Sequence, residues 1–328
     1  MTLEAIRKFE ALDKIKEKWN ELVFSSSHNS VFLTHEWFNC WWKCFSENRT
    51  LEILVLKDNN KLIGIAPLMI ENEKVKFISN REVTDYCDFI ILKGKEEIFF
   101  ESIFDYLKKY SNIKLIYIRE DSPTLKHLPE IASKYNFECK INVIEKSLYI
   151  SPPLSYDDYL IGLNSKNRHE LKRKLRKTQM LENLRIEKIT SLNDLKHFIN
   201  FFIDFHKKSS LQKYKFWKSN TYCFFNEICK EFALNNWIEL YFLFHKDRII
   251  SALFCFSYSK KLYLYNSAFD KNYSQYNPGL YLFNHVIKEA IQKSIEEIDF
   301  LRGEERYKYD FGAKARKLYE VLIQRSKE

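Results

Sequence analysis

Glycine and proline are scarce, six of each in 328 residues. Each one therefore says more about its local backbone than it would in a glycine-rich chain, and Pro278 and Gly279 stand side by side. Long apolar runs are absent as well. No stretch approaches the ~18 apolar residues of a membrane span. The N-terminal MTLEAIRKFEALDKIKEKW is charged and amphipathic, unlike a signal peptide. A cytoplasmic location is expected, with no transmembrane segment; peripheral contact with a membrane surface stays open. The cysteines Cys40, Cys44, Cys87, Cys139, Cys223, Cys229 and Cys255 form no CxxC pair and have no His at ligand spacing. That predicts reduced core thiols and no metal site. HExxH, GxSxG and P-loop patterns are missing too, which argues against metalloprotease, serine-hydrolase and P-loop kinase chemistry.

Aromatic residues are plentiful: 27 Phe and 20 Tyr contribute to an aromatic share of 16%, within a hydrophobic share of 45%. Disordered chains are poor in these types, so a folded protein is expected throughout. The length exceeds the roughly 100 to 200 residues of an average domain, which favours two domains. The formal net charge of +9 favours an anionic partner: a phosphorylated cofactor, a nucleic acid or the inner membrane surface. Charge alone does not choose among them.

Hydrophobic periodicity supplies the element order. A short strand over residues 3–9 precedes a helix carrying Leu12, Ile15, Trp19, Leu22 and Val23. Thr34 then reads as the N-cap of a second helix whose apolar face holds Trp37, Phe38, Trp41, Trp42 and Phe45. Strand-like runs LEILVLKD, KLIGIAPLMI and KVKFIS, with the later DFIIL, lead to a helix over 96–110. The strand KLIYI, a helix near 123–135 and the strand CKINVI close the first half. After Ser151-Pro152-Pro153 and a basic helix near 156–182, the order repeats. LRIEKIT is a strand, 194–208 and 216–235 are helices, WIELYFLFHK, RIISALFCFSYS and KLYLYNSAF are strands, and a helix from Pro278 to Ser294 precedes the strand EEIDFL. Two copies of one order suggest duplication of a mixed α/β unit of ~150 residues. The expected domains are 1–152 and 153–328.

The strongest local signal is KLYLYNSAFDKNYSQYNPGLYLFNHVIKEAI, a strand and polar loop leading into an amphipathic helix that starts at Pro278. Proline suits a first helical turn because its missing N–H would be unpaired there. The free N–H groups that follow, together with the helix dipole, favour phosphate oxygens. A second signal is the segment SKNRHELKRKLRK from Ser165, where Lys166, Arg168, Lys172, Arg173, Lys174, Arg176 and Lys177 face only Glu170 as an opposing charge. It suits an anion: cofactor phosphate, an acidic glycan precursor, a lipid headgroup or RNA. His206, following an apolar helical face, reads as a packed or capping residue.

The strand, loop and Asn-Pro-Gly-Leu helix start resemble the pyrophosphate loop of the acyl-CoA N-acyltransferase (GNAT) superfamily, although the usual Gly-x-Gly richness is absent. FLTHEWFNCWW, TDYCDF at 84–89, SKNRHELKRKLRK and DFLRGEERYKYDFGA resemble the cellulose-biosynthesis-type (CelD-like) acetyltransferases and their tandem-domain, Fem-like relatives. Together these motifs cover nearly the whole chain. Arg302, Gly303, Glu305, Tyr307 and Lys308 match the C-terminal motif, whereas Arg306 stands where proline is more usual.

The resemblance implies an α/β fold of two tandem GNAT-like domains around mixed sheets, the first degenerate and on the acceptor side, the second binding acyl-CoA. It further implies acetyl-CoA or another acyl-CoA as cosubstrate, held by Tyr276, Asn277, Pro278, Gly279, Leu280 and Lys308, with no metal. Direct acyl transfer needs a base for the acceptor's proton and an acid for the leaving thiolate, and Glu305 and Tyr307 are the candidates. Asp85, Tyr86 and Asp88 are candidates for orienting the acceptor, with Arg168 on the basic helix beside them in that role. The expected reaction moves an acyl group, acetyl first, to an amine or hydroxyl of a small-molecule or glycan-precursor acceptor, such as a cell-envelope intermediate. Two alternatives remain: Fem-like transfer from aminoacyl-tRNA, the one reading with a nucleic-acid partner, and a non-catalytic scaffold binding an anionic ligand.

Overall fold

With so little glycine, asparagine makes many of the left-handed turns. Asn59 and Asn60 have φ of 46° and 66°, Asn72 and Glu73 of 49° and 59°, and Ser259 and Lys260 of 48° and 59°. Two successive positive φ values match the right-handed twist of flanking strands, the geometry of a type I′ hairpin, and Asn tolerates this region better than most side chains.

The computed structural model describes residues 1–326. In chain order the first elements are β1 (Thr2–Ile6), α1 (Lys16–Ser25), α2 (His35–Phe45), β2 (Thr50–Asp58), β3 (Lys61–Glu71), β4 (Lys74–Phe77), β5 (Ile90–Ile91), α3 (Glu96–Leu107), β6 (Asn112–Arg119), α4 (Thr124–Lys134) and β7 (Phe137–Ile150). Next come α5 (Tyr156–Gly162), α6 (Ser165–Gln179), β8 (Leu184–Ile189), α7 (Leu192–Ser209), α8 (Leu211–Phe216) and α9 (Ser219–Leu234). The last are β9 (Ile238–His245), β10 (Arg248–Tyr258), β11 (Lys261–Phe269), α10 (Pro278–Gln292), β12 (Glu297–Arg302), α11 (Arg306–Asp310) and β13 (Lys314–Arg325). The expected mixed α/β class holds. The single basic helix expected over 156–182 is divided, because Asn164 caps α6 by accepting the Asn167 N–H and so separates it from α5, and the short α8 is an element for which the sequence reading had no helix.

The chain forms two compact units, Met1–Glu145 with the stretch from Arg316 onward, and Lys146–Ala315. A single cut at 152/153 is thus replaced by an exchange of closing strands. The cause is the alternating pattern of KARKLYEVLIQR, whose Leu318, Val321 and Ile323 are buried while β13 pairs antiparallel with β6. The sequence reading had no strand there.

In the first unit the strand order is β1-β2-β3-β4-β6-β13. Thr34 does cap α2, its hydroxyl accepting the Trp37 N–H at 3.3 Å, and Trp37, Phe38, Trp41 and Phe45 are buried. In the second unit the end of β7 is followed by β12, β11, β10, β9 and β8. Helix α10 buries Leu282, Phe283, Val286, Ile287, Ala290 and Ile291, spaced by three and four residues, against the sheet. The expected reduced thiols are Cys40, Cys87, Cys139, Cys229 and Cys255; Cys44 and Cys223 correct that expectation, being disulfide-bonded.

Candidate functional site

The site is built where two neighbouring parallel strands part. β11 and β12 pair only from Lys261, Leu262 and Tyr263 to Glu297, Ile298 and Asp299. Beyond Tyr263, β11 continues to Phe269 paired with β10 alone, and β12 turns through Leu301 at a φ of 60°. A bulky residue in that region is strained, and the register of β12 on β7 shifts between Asp299 and Arg302. One edge of β11 is therefore left open from Leu264 onward. Lys213 of α8 donates to the Ser267 carbonyl on this segment, and burial pushes its ammonium down to about 8. Nothing in the sequence marks Lys213, since a lysine in a short polar helix reads as solvated.

Above the gap, α10 starts as predicted. Asn277 adopts the left-handed conformation, φ 56° and ψ 45°, and Pro278 takes the first helical position. Asn277 provides no side-chain cap, and the first intrahelical bond runs from the Tyr281 N–H to the Asn277 carbonyl. The Gly279 and Leu280 N–H groups thus stand at the positive end of a 15-residue helix. A methyl at Gly279 would meet Phe269 at 3.6 Å, an ordinary contact, so local packing does not demand glycine there.

The basic helix α6 is laid along this start. The Thr178 hydroxyl donates to the Tyr276 carbonyl at 2.5 Å, and the Asn167 amide donates to the Tyr309 carbonyl at 3.2 Å. α6 is thereby tied at one end to the loop before α10 and at the other to α11. Between α6 and α11 lies a cavity of about 680 Å³ whose walls include Lys166, His169, Arg173, Lys174, Arg306 and Tyr307. A separate small crevice, lined in part by Asn167, Lys174 and Leu280, lies at the first turn of α10. Arg168, the expected acceptor ligand on α6, instead donates to the Ile161 carbonyl at 3.0 Å at the end of α5 and does not line the cavity.

Glu305 is the N-cap residue of α11 and its side chain is 58% exposed. Its carboxylate leans over Gly303, whose φ of 101° and close approach to Glu305 require glycine. Tyr307 packs its ring on Phe283 and Phe300, at centroid distances of 5.3 and 6.4 Å. Burial, aided by the Glu305 charge, raises its phenol above the usual range and keeps it protonated. Lys308, expected as a phosphate ligand, has its side chain turned inward. It is 3% exposed, and its ammonium donates to the carbonyls of Leu301, Arg302 and Gly303 at 3.4, 2.7 and 3.1 Å while pairing with Glu305 at 2.9 Å. A buried ammonium needs such partners, and here they tie down the strained end of β12.

Asp85, Tyr86 and Asp88 lie in the first unit and all three are buried. Asp88 is committed: it accepts from the Thr124 hydroxyl at 2.6 Å and the Phe89 N–H at 2.9 Å, and His28 Nδ1 lies 3.1 Å away. His28 Nε2 lies 3.1 Å from Asp121, which is held in turn by Arg119 at 3.0 and 2.7 Å. Burial opposes a charged imidazole, but bonds to Asp121 and Asp88 outweigh it and push His28 up to about 9. Asp121 is likewise buried in part, yet His28 and Arg119 hold it well below the usual carboxylate range. The sequence reading found one end of this network and missed His28, Arg119 and Asp121. His206 is packed as expected, accepting from the Trp217 indole at 3.0 Å, and burial lowers it to about 3.

Among the described residues no cluster of His, Cys, Asp or Glu could hold a metal ion, and no helix is long and apolar enough to cross a membrane.

Residues 165–309 match the family model described as an acetyltransferase (GNAT) domain. That segment runs from the first residue of α6 into α11, so the basic helix belongs to the matched pattern. A search of curated proteins returns no match. Among solved structures, the chain is similar to FemX, with 11% identity, a TM-score of 0.65 and coverage of 98% of this chain and 97% of that one. It is also similar to L-PGS from Bacillus licheniformis, with 8% identity, a TM-score of 0.55 and coverage of 94% and 91%. A third is a tandem GNAT protein from the clavulanic acid biosynthesis pathway, with 8% identity, a TM-score of 0.54 and coverage of 100% of both chains. At such identities the likeness speaks to fold. Residues 165–309 thus match a GNAT domain, and the chain has the fold of tandem GNAT proteins.

Proposed function

We propose that this chain transfers an acyl group, acetyl in the first instance, from coenzyme A to an amine or hydroxyl of a sugar or cell-envelope intermediate. The observation that carries the reading is the opening between β11 and β12 directly before the uncapped start of α10. Gly279 and Leu280 N–H groups would hold the donor's pyrophosphate, and the open edge of β11 would accept its extended arm. The donor's thioester supplies the acyl group. Glu305, exposed beside the cavity wall at Tyr307, takes the acceptor's proton. Tyr307, kept protonated by burial, is the acid that serves the leaving thiolate. Lys308 fixes the loop that presents both.

Calorimetry with acetyl-coenzyme A and a turnover assay with Glu305→Gln test this. Binding of the donor at micromolar strength, with turnover of the variant down about 100-fold and donor affinity unchanged, is the expected result. No donor binding, or full turnover in the variant, would overturn the donor or the base assignment respectively.

The basic face of α6 favours a second reading, transfer of an aminoacyl group from tRNA, whose phosphates would meet Lys172, Arg176 and Lys177. Its mark is RNA binding that weakens steeply with salt.

A further inference from the structure

Helix α8 is turned the opposite way from an ordinary surface helix. Lys213 and Phe216 in it, and Trp217 just after it, share the inward side. The Lys213 ammonium donates to the Ser267 carbonyl on β11, and the rings of Phe216 and Trp217 meet Phe225 at 5.8 and 4.6 Å. The outward stripe holds Leu211, Tyr214 and Lys215, with Leu211 69% and Tyr214 63% exposed. A surface helix ordinarily buries its Leu and leaves its lysines in water. Here one lysine is drawn in while the leucine and the tyrosine stand out.

The charge around this stripe has one sign. No Asp or Glu occurs between Asp204 and Glu227, whereas five of the twelve residues from Lys207 to Lys218 are lysine. The bond from Lys213 sets α8 beside the last residues of β11, and there a depression of about 390 Å³ is lined in part by Lys208, Phe269 and Lys271. Phe269 is itself 42% exposed. The carboxylate on that wall, Asp270, is occupied by Arg248 at 2.7 Å. Lys208, Lys215 and Lys271 have no ion pair among the described residues.

We infer that the outward face of α8, with Lys208, Lys271 and Phe269 beside it, docks on an anionic membrane surface. Leu211 and Tyr214 enter the boundary between headgroups and acyl chains, where an apolar side chain leaves water and a tyrosine hydroxyl stays wet. The lysines around them meet anionic headgroups at the same depth, their stems lying along the apolar boundary. Both halves of the face are then used. RNA would engage the lysines but gain nothing from Leu211 in open water. A second copy of this chain would bring the same lysines face to face, which like-charge repulsion opposes. The inference needs neither the donor nor the acceptor of the acyl-transfer reading and stands or falls without it.

Co-sedimentation of the full chain with lipid vesicles tests this. Vesicles of phosphatidylcholine mixed with phosphatidylglycerol should bind the protein, vesicles of phosphatidylcholine alone should not, and binding should weaken as salt is added. Leu211→Ser with Tyr214→Ser should weaken it about tenfold or more, and Lys215→Gln with Lys271→Gln about as much. All four side chains are exposed, so both variants should unfold at the parental temperature. Lys172→Gln with Lys177→Gln serves as the control: it removes two exposed cations from α6, away from this face, and should cost about twofold at most. Equal binding to both kinds of vesicle, unchanged affinity in the Leu211 and Tyr214 variant, or a larger loss in the α6 variant would each overturn the inference. So would failure to bind vesicles, whether the face then proved to join two copies of the chain by light scattering or to hold an RNA stem by filter retention.

Discussion

The two units end corresponding strands in opposite ways. In the first, β6 passes Tyr117 at a φ of 61° and ends on Arg119, with Asp121 just beyond; in the second, β12 passes Leu301 at 60° and runs into Gly303 and Glu305. Each strand carries a bulky residue in a strained conformation just before a charged turn. After β6 the charges close on themselves, Arg119 on Asp121, Asp121 on His28, His28 on Asp88. After β12 one buried cation, Lys308, holds the turn from within and leaves the Glu305 carboxylate 58% exposed. The same backbone device thus serves a locked polar network in one unit and an accessible acid group in the other. Polarity at a strand end is not itself a site; what matters is whether its hydrogen-bonding capacity is already used.

The hardest way to break this contrast is Asp88→Ala. It removes the acceptor of three partners in a buried setting and leaves His28 charged beside Asp121 alone, a loss of about 3 to 5 kcal/mol. Thermal unfolding should begin many degrees earlier than in the parent. Retention of stability together with a selective loss of acceptor affinity would restore Asp88 to the substrate-binding role its sequence context suggested.

A second test uses pH. His28 is raised from 6.5 to about 9, so the stability it contributes is fully present below pH 6.5 and is lost as pH rises through about 9. Across that window the contribution is ~3 kcal/mol. Asp121 is shifted the other way, and its share is lost only in acid, below the ordinary carboxylate range. Denaturant midpoints between pH 6.5 and 9.5 should therefore fall in the parent and fall less in His28→Gln. Parallel curves would mean that the imidazole is not charged in the folded state.

Much of this architecture was legible in the sequence, and the misses have physical causes. Alternating and 3.6-residue patterns marked the hairpins, α2, α3, α7 and α10, because each buries a single face. The Asn277-Pro278-Gly279 start was legible because proline is restricted in conformation and helix starts have orphan donors. The exchange of β13 was not, since which strand accepts it depends on pairing across more than 190 positions of chain, from Leu318 back to Arg119. Nor was the network around His28, whose members Asp88 and Asp121 lie far along the chain and become neighbours only on folding. The inward placement of Lys308 is hidden from the sequence for a related reason. A lysine in a polar motif near a phosphate-binding loop looks like a phosphate ligand until the direction of its side chain is known, and here it turns inward to three carbonyls.

Lys308→Met sharpens the comparison from the second unit. Methionine keeps most of the apolar stem but donates nothing, so three carbonyls and the Glu305 carboxylate lose their shared partner. Carbonyls near the surface can recover water, which limits the cost to about 1 to 3 kcal/mol, below that of Asp88→Ala. If Lys308 acts on the loop and not on phosphate, the variant should bind acetyl-coenzyme A as the parent does, unfold earlier, and turn over slowly because Glu305 and Tyr307 are no longer presented together. Lys308→Arg would not restore it, since a guanidinium cannot point three converging donors at one small nest of carbonyls. A variant of parental stability with weakened donor binding would instead make Lys308 a phosphate ligand, and the turn after β12 would then be built to bind rather than to hold.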